Sequence, residues 1–233
     1  MMDSRKILAL PLDPMGFIIG SLLIFLWFIS LLTFLNWEVN YTNPLIYIAM
    51  YIQTFLYTGL FITSHDAMHG TVSKNRRLNN LLGKITSILF AFNFYDRLLV
   101  KHHKHHRHVA SHEDPDYHES GNFWLWYWNF IKSYITLPQL ILITISLQLL
   151  KLIFPLENLI LFWIVPSVLS TFQLFYFGTY LPHKNGHENI NKHKSKSLDK
   201  NHIWAFISCY FFGYHYEHHD APGIPWWRLW RTK

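Results

Sequence analysis

Sixteen of the chain's 233 residues are histidine, more than its 14 Asp and Glu combined, and they cluster. Nine lie in residues 65–121 and seven in 183–233. Three groups have a spacing that chemistry can use. His65-Asp-Ala-Met-His69 sets two imidazoles at i and i+4, on one face of a helix. His102-His-Lys-His105-His106 and His215-Tyr-Glu-His218-His219 both read H-x-x-H-H, which on a helix turns three rings toward one point. Neutral imidazole ligates Zn, Fe, Cu and Ni, and these tracts supply enough donors for two metals. A further ligand is expected at His183, directly after the last apolar stretch and at the membrane depth of His65. His103, His108, His112, His118, His187, His193 and His202 read as solvated or supporting histidines. The single cysteine, Cys209, excludes a thiolate-rich zinc or iron–sulfur site and any intramolecular disulfide. Metal-bound imidazoles hand their second N–H to a carboxylate or carbonyl. Among the nearby acids Asp66, Glu113, Asp114, Asp116, Glu217 and Asp220, the expected partners are Asp114, Asp116 and Glu217.

The elements that must position these rings are apolar. Four stretches carry no Asp, Glu, Lys or Arg: Phe17–Leu35, Pro44–Ser64, Ser133–Leu150 and Asn158–Pro182. About 20 apolar residues cross the ~30 Å hydrocarbon core as a helix. A chain of this length cannot wrap four uncharged helices on all sides, so they read as membrane spans. The first follows Arg5 and Lys6 but ends in Leu35-Asn36-Trp37 without a small-residue cleavage site, so it is expected to be retained rather than removed as a signal peptide. Ile85–Tyr95 and Ile203–Gly213 are too short to cross and are expected at the interface or re-entrant.

Short links at Asn36–Asn43 and Lys151–Glu157 make two helical hairpins. The expected fold is therefore an all-α integral membrane protein, one domain over residues 1–233, with four transmembrane helices and a helical cap carrying the three histidine boxes. The N-terminus, residues 65–121 and residues 183–233 share one face, and 18 of the 20 Lys and Arg lie there. The positive-inside rule makes that face cytoplasmic, with both termini and the site on it. This accounts for the net charge of +6 without nucleic acid. Trp37, Trp124, Trp126, Trp128, Trp226 and Trp227 suit interfacial belts.

Longer strings carry a resemblance. His65-Asp-Ala-Met-His69-Gly70 with Asn79 and Gly83, His102–His106 followed by Asp114-Pro115-Asp116-Tyr117-His118, Phe177-Gly178-Thr179-Tyr180-Leu181-Pro182-His183, and Phe212-Gly213-Tyr214-His215 through to Pro225-Trp226-Trp227-Arg228-Leu229 resemble bacterial and cyanobacterial β-carotene ketolases. These form a branch of the membrane fatty-acid desaturase/hydroxylase superfamily. The three boxes alone point to the superfamily; the Phe-Gly-Thr-Tyr-Leu-Pro-His and Pro-Trp-Trp-Arg strings narrow it. The resemblance implies two irons, O₂ and an external reductant such as ferredoxin. It also implies a carotenoid substrate drawn from the bilayer, with the C4 methylene of a β-ionone ring oxidised twice to a ketone. Ligand roles carry over to His65, His69, His102, His105, His106, His215, His218 and His219, with no catalytic residue beyond the ligands. The ninth position falls to His183, with His193 and Asn189 as competitors.

Tyr180, Phe177, Phe211 and Phe212 are the expected walls around the ring. Lys101, Lys104, Arg107, Lys192, Lys194 and Lys196 offer a docking face for an acidic electron donor, or simply headgroup and topology charge. A carotenoid ring hydroxylase or an acyl-lipid desaturase would use the same boxes. A metal transporter would instead need polar ligands along its spans, and these hold no charge and no histidine.

Overall fold

A computed structural model describes residues 14–184 and 191–233; Arg5, Lys6, His187 and Asn189 lie outside them. Every regular element among the described residues is helical. Helix α1 spans Met15–Leu35 and α2 spans Leu45–Met68. Both are uncharged along nearly their whole length, about 31 and 36 Å at 1.5 Å per residue. On its outer face α1 exposes Leu22, Phe25 and Phe28, side chains that call for lipid rather than water. The second half of α2 is buried continuously from Leu56, except Phe61, and delivers His65 into the interior at its end.

Helix α3 (Arg76–Leu89) begins where the Asn75 side chain accepts the N–H groups of Arg77 and Leu78, and it lies against α2. Helix α4 (Tyr95–Arg107) carries the second box, with Asp96 in its first turn and basic residues in its last. The run Ile85–Tyr95 is thus the end of α3, a loop and the first residue of α4.

The third apolar stretch does not form one straight helix. Helix α5 (Phe123–Tyr134) and α6 (Leu137–Leu150) meet at 86°. Thr136 and Gln139 form a reciprocal capping box and Pro138 follows the cap, so a new helix starts inside the apolar run. Three helices are therefore long and apolar enough to span, with α5–α6 a bent pair. Trp124 and Trp128 are exposed on α5 as expected of an interfacial helix. Trp126 is not: it is buried and its Nε1 donates to the Asp116 carbonyl at 2.6 Å. Trp226 is also withdrawn, packed on Phe206 and Tyr210.

Helix α7 runs over Leu156–His183 and contains two wide turns, Ile160–Ile164 and Tyr176–Tyr180. In each the next N–H reaches back five residues, Val165 to Ile160 and Leu181 to Tyr176. Each lies just ahead of a proline, Pro166 and Pro182. Proline has no N–H and its ring crowds the carbonyl four residues back, and a π-turn relieves both problems without ending the helix. Helices α8 (His202–Cys209), α9 (His215–Asp220) and α10 (Trp226–Leu229) complete the chain. Between α8 and α9, Tyr210 and Phe211 both take left-handed backbone angles. Burial holds that costly bend: Tyr210 stacks on Phe55 and donates its hydroxyl to the Phe55 carbonyl at 3.1 Å.

At the end of the molecule far from the boxes, the two links meet. Asn158 Nδ2 donates to the carbonyls of Phe34 at 3.0 Å and Trp37 at 2.8 Å, and the Tyr41 hydroxyl donates to the Glu157 carboxylate.

Candidate metal centre

All nine expected histidines converge, in two groups. His65, His69, His102, His106 and His218 bring ligand nitrogens within 4.8 Å of one another, and so do His105, His183, His215 and His219. Each H-x-x-H-H box is thus divided, not aimed at one point. At 100° per residue i and i+4 lie 40° apart, whereas i+3 falls on the other side of i. His102 and His106 therefore share one group while His105 enters the other, and His215 and His219 pair while His218 crosses over.

The donor geometry fits metal ions. Two donors at right angles on one ion, each about 2.1 Å from it, stand about 3 Å apart. The Nε2 atoms of His183 and His215 are 2.9 Å apart, those of His215 and His219 2.9 Å, and those of His105 and His219 3.1 Å. In the other group His69 and His102 approach to 2.6 Å, and His65 Nε2 is buried with no hydrogen-bond partner. A buried nitrogen left so costs ~1–3 kcal/mol unless something takes its lone pair.

The outer nitrogens are held in place. His105 Nδ1 donates to Asp114 at 2.9 and 3.0 Å, and that carboxylate also accepts the N–H groups of Ala110 and Asp116. His183 Nδ1 donates to the Lys194 carbonyl at 3.1 Å. Asp116 lies 3.9 Å from His105 and accepts the Tyr134 hydroxyl. Glu217 does not serve a ligand: it accepts from Ser197 and Lys233. Asp66 serves one instead, 3.4 Å from His65 Nδ1 and fixed by the Trp226 N–H at 2.9 Å. The Pro225-Trp226 string thereby clamps the first box, a role its distance in the chain conceals.

Burial, then the neighbouring imidazoles, hold His69, His102, His215, His218 and His219 well below the ordinary histidine range and bring His106 down to about 2. They are neutral, as metal ligands must be. At His105 burial pulls the same way, but Asp114 and Asp116 outweigh it and raise the ring. Burial also pushes the Asp116 carboxyl up to about 6.

A cavity of about 450 Å³ touches both groups, at His65 and His102 on one side and His105 and His215 on the other. Its walls are Phe61, Phe90, Trp128, Phe130, Phe172 and Phe212, with α6 residues Leu140 and Ile143 toward the lipid. Of the four expected wall residues only Phe212 lines it. Phe177 faces a second groove with Tyr47 and Tyr51, Tyr180 packs on Trp126, and Phe211 stacks on Trp226. Trp128, Phe130, Leu140, Ile143 and Phe172 come from α5, α6 and α7, far in sequence from the boxes, while Phe61 and Phe212 flank the first and third boxes.

His193 lies outside both groups, its Nε2 3.4 Å from Asp220. Lys101 is not a free docking charge, since its ammonium donates to Ser133, and Lys192 pairs with Asp220. Cys209 is buried in the core.

The fatty acid desaturase family model matches residues 41–130 and 119–233. A zeaxanthin 4-ketolase of Chlamydomonas reinhardtii is 41% identical over 212 residues, 88% of this chain and 48% of that protein. A beta-carotene 4-ketolase of Haematococcus lacustris is 42% identical over 76% of this chain and 59% of its own length. A beta-carotene ketolase of a Paracoccus species is 39% identical over 77% of this chain and 76% of its own. The chain thus spans about half to three fifths of the algal relatives and three quarters of the bacterial one. No solved structure gives a significant match.

Proposed function

The chain belongs to the fatty acid desaturase family, beside the β-carotene ketolases, and from that premise we propose that it oxidises the C4 methylene of carotenoid β-ionone rings to a ketone. The substrate would be β-carotene, converted through echinenone to canthaxanthin. The observation that carries this is the apolar cavity reaching both histidine groups: a wholly apolar ring can reach the donors without meeting bulk water.

The donor sets are compatible with two irons, the metals the family resemblance implies, one with His65, His69, His102, His106 and His218, the other with His105, His183, His215 and His219. When bound they would supply O₂ activation at the expense of external electrons. Each oxygenation takes one O₂, two electrons and two protons, places one oxygen on C4 and releases the other as water. A second on the same carbon gives a geminal diol, which loses water to the ketone. The chain's own part is to orient and exclude. Asp114 and the Lys194 carbonyl take the Nδ1–H of His105 and His183, leaving Nε2 free to ligate. Phe212, whose ring lies 4.9 Å from that of His65, presses the substrate ring toward the donors by shape alone.

The membrane reading is four spans in two hairpins within one domain, with the boxes and both termini cytoplasmic. Support comes from the meeting of Asn158 with Phe34 and Trp37 at the opposite end, and from the basic residues gathered on the box side. An acidic one-electron carrier such as ferredoxin would dock on that basic side, where Lys104 and Arg107 are exposed.

Expression in a β-carotene-producing host under ¹⁸O₂ tests the reaction. The expected pigments are 4-keto carotenoids carrying ¹⁸O, with traces of the 4-hydroxy compound when reductant is scarce and about two irons per purified chain. Accumulation of a 3-hydroxy carotenoid would move the chain to the hydroxylase branch. A new acyl double bond with unchanged pigments would make it a desaturase.

A further inference from the structure

Thr179 sits in the wide turn Tyr176–Tyr180 of α7, four residues before His183. It is 5% exposed and lines the cavity. Every other described threonine hydroxyl makes a hydrogen bond, most to the carbonyl three or four residues back. That of Thr179 makes none among the described residues. A helical threonine ordinarily bonds back to its own turn. Here the backbone ladder is opened to five-residue steps ahead of Pro182, and the hydroxyl is left without a partner on a residue that lines the cavity.

Apart from the histidines of the two groups and the exposed Trp128, the other polar side chains on the cavity wall already hold a partner. Asn93 donates to the Phe90 carbonyl, Gln139 to that of Ala91 and Ser167 to that of Ile164; Thr171 pairs with Tyr127, and Tyr134 with Asp116. Beside Thr179, Gly178 admits the Phe212 ring so closely that an added Cβ would lie 2.0 Å from it, and that ring packs 5.6 Å from His215. The Phe212 ring thus packs against both this turn and the His215 ring.

We propose that Thr179 hydrogen-bonds the oxygen placed on C4 by the first oxygenation and holds the alcohol in register for the second. The hydrocarbon offers the hydroxyl nothing, whereas the alcohol offers both a donor and an acceptor. A single such bond favours the alcohol by roughly three- to tenfold. That preference keeps the half-oxidised ring at the centre in place of release to the bilayer. The inference rests on the reaction proposed above.

Thr179→Val removes the hydroxyl and keeps the shape; Thr179→Ser keeps the hydroxyl. In cells making β-carotene, the ratio of 4-hydroxy to 4-keto product is expected to rise roughly three- to tenfold in the valine variant and return toward the unmutated value in the serine variant. Binding is read separately on the iron-loaded protein, without reductant, as quenching of tryptophan fluorescence by 4-hydroxy-β-carotene and by β-carotene. The ratio of the two affinities should fall in the valine variant by the same factor. Valine ratios equal to the unmutated ones, or a serine variant that behaves like valine, overturn the inference. If the valine variant makes no product, the binding ratio alone decides. Absence of any C4 product from the unmutated chain would overturn the proposed reaction, and this inference with it.

Discussion

Asp114 shows how much a single carboxylate can govern at this centre. It is buried, and its oxygens accept from His105 Nδ1 and from two backbone N–H groups. Burial alone would raise its pKa, but His105 and those N–H groups outweigh it and keep the group ionised. Asp114→Asn keeps the size and removes the charge that fixes the His105 tautomer. Activity should fall 10–100-fold, with iron lost from the group of His105, His183, His215 and His219. Iron content by metal analysis and ketone yield check this, and a variant with both unchanged would remove Asp114 from the centre. The histidines that converge were legible in the sequence from their close local spacing, but not their division, since i+3 of each H-x-x-H-H box enters the other group from i and i+4. What lies around them was less so. Asp66 meets Trp226 only through the tertiary fold, and Glu217, adjacent to a ligand in sequence, faces Ser197 and Lys233.

At the scale of elements, the close approach of α7 to the turn before α9 decides the shape of the cavity. Phe212 lies over Gly178, where any Cβ would collide with ring atoms rather than with a flexible chain end. Gly178→Ala must therefore push Phe212 toward His65 and His215. The expected result is at least a tenfold loss of ketone formation, because misplacing a reacting group by about 1 Å can cost 10²-fold. Iron content should remain near that of the unmutated chain, since the atoms an added Cβ meets first are those of Phe212. Full activity in this variant would mean that the ring does not sit beneath Phe212. The long helices were legible as uncharged runs, but the split between α5 and α6 was concealed by that same lack of charge. The signals were present in Thr136, Pro138 and Gln139, an N-cap followed by proline and a capping glutamine inside an apolar stretch. The π-turns of α7 were equally local, each tied to a proline two residues on, and their consequence at Thr179 emerges only once the cavity is in view.

The centre also constrains the whole molecule's path through the bilayer. His65 to His106 precede the bent pair and α7, and His215 to His219 follow them, yet both parts contribute to each group. The chain must therefore cross an even number of times between Arg107 and His183. On the proposed four-span topology α7, long enough to span, would make one crossing and the α5–α6 pair the other. On that topology α5 would lie along the interface with Trp124 and Trp128 outward, and α6 would go through. Its 14 residues reach only about 21 Å, so the turn at Lys151–Phe154 and some local thinning of the bilayer must complete the path. The packing of Leu147, Leu150 and Phe154 into the core that holds Phe34 and Phe162 supports an α6 that arrives at the far end. Reporter fusions after Thr71 and at Lys233 should both read cytoplasmic. One placed after Leu152, in the link beside Glu157 and Tyr41, should read the opposite side. A cytoplasmic reading at Leu152 with Lys233 outside would leave an odd number of crossings. The two halves of each histidine group would then lie on opposite faces of the membrane, and the four-span topology would fall together with the metal centre that depends on it.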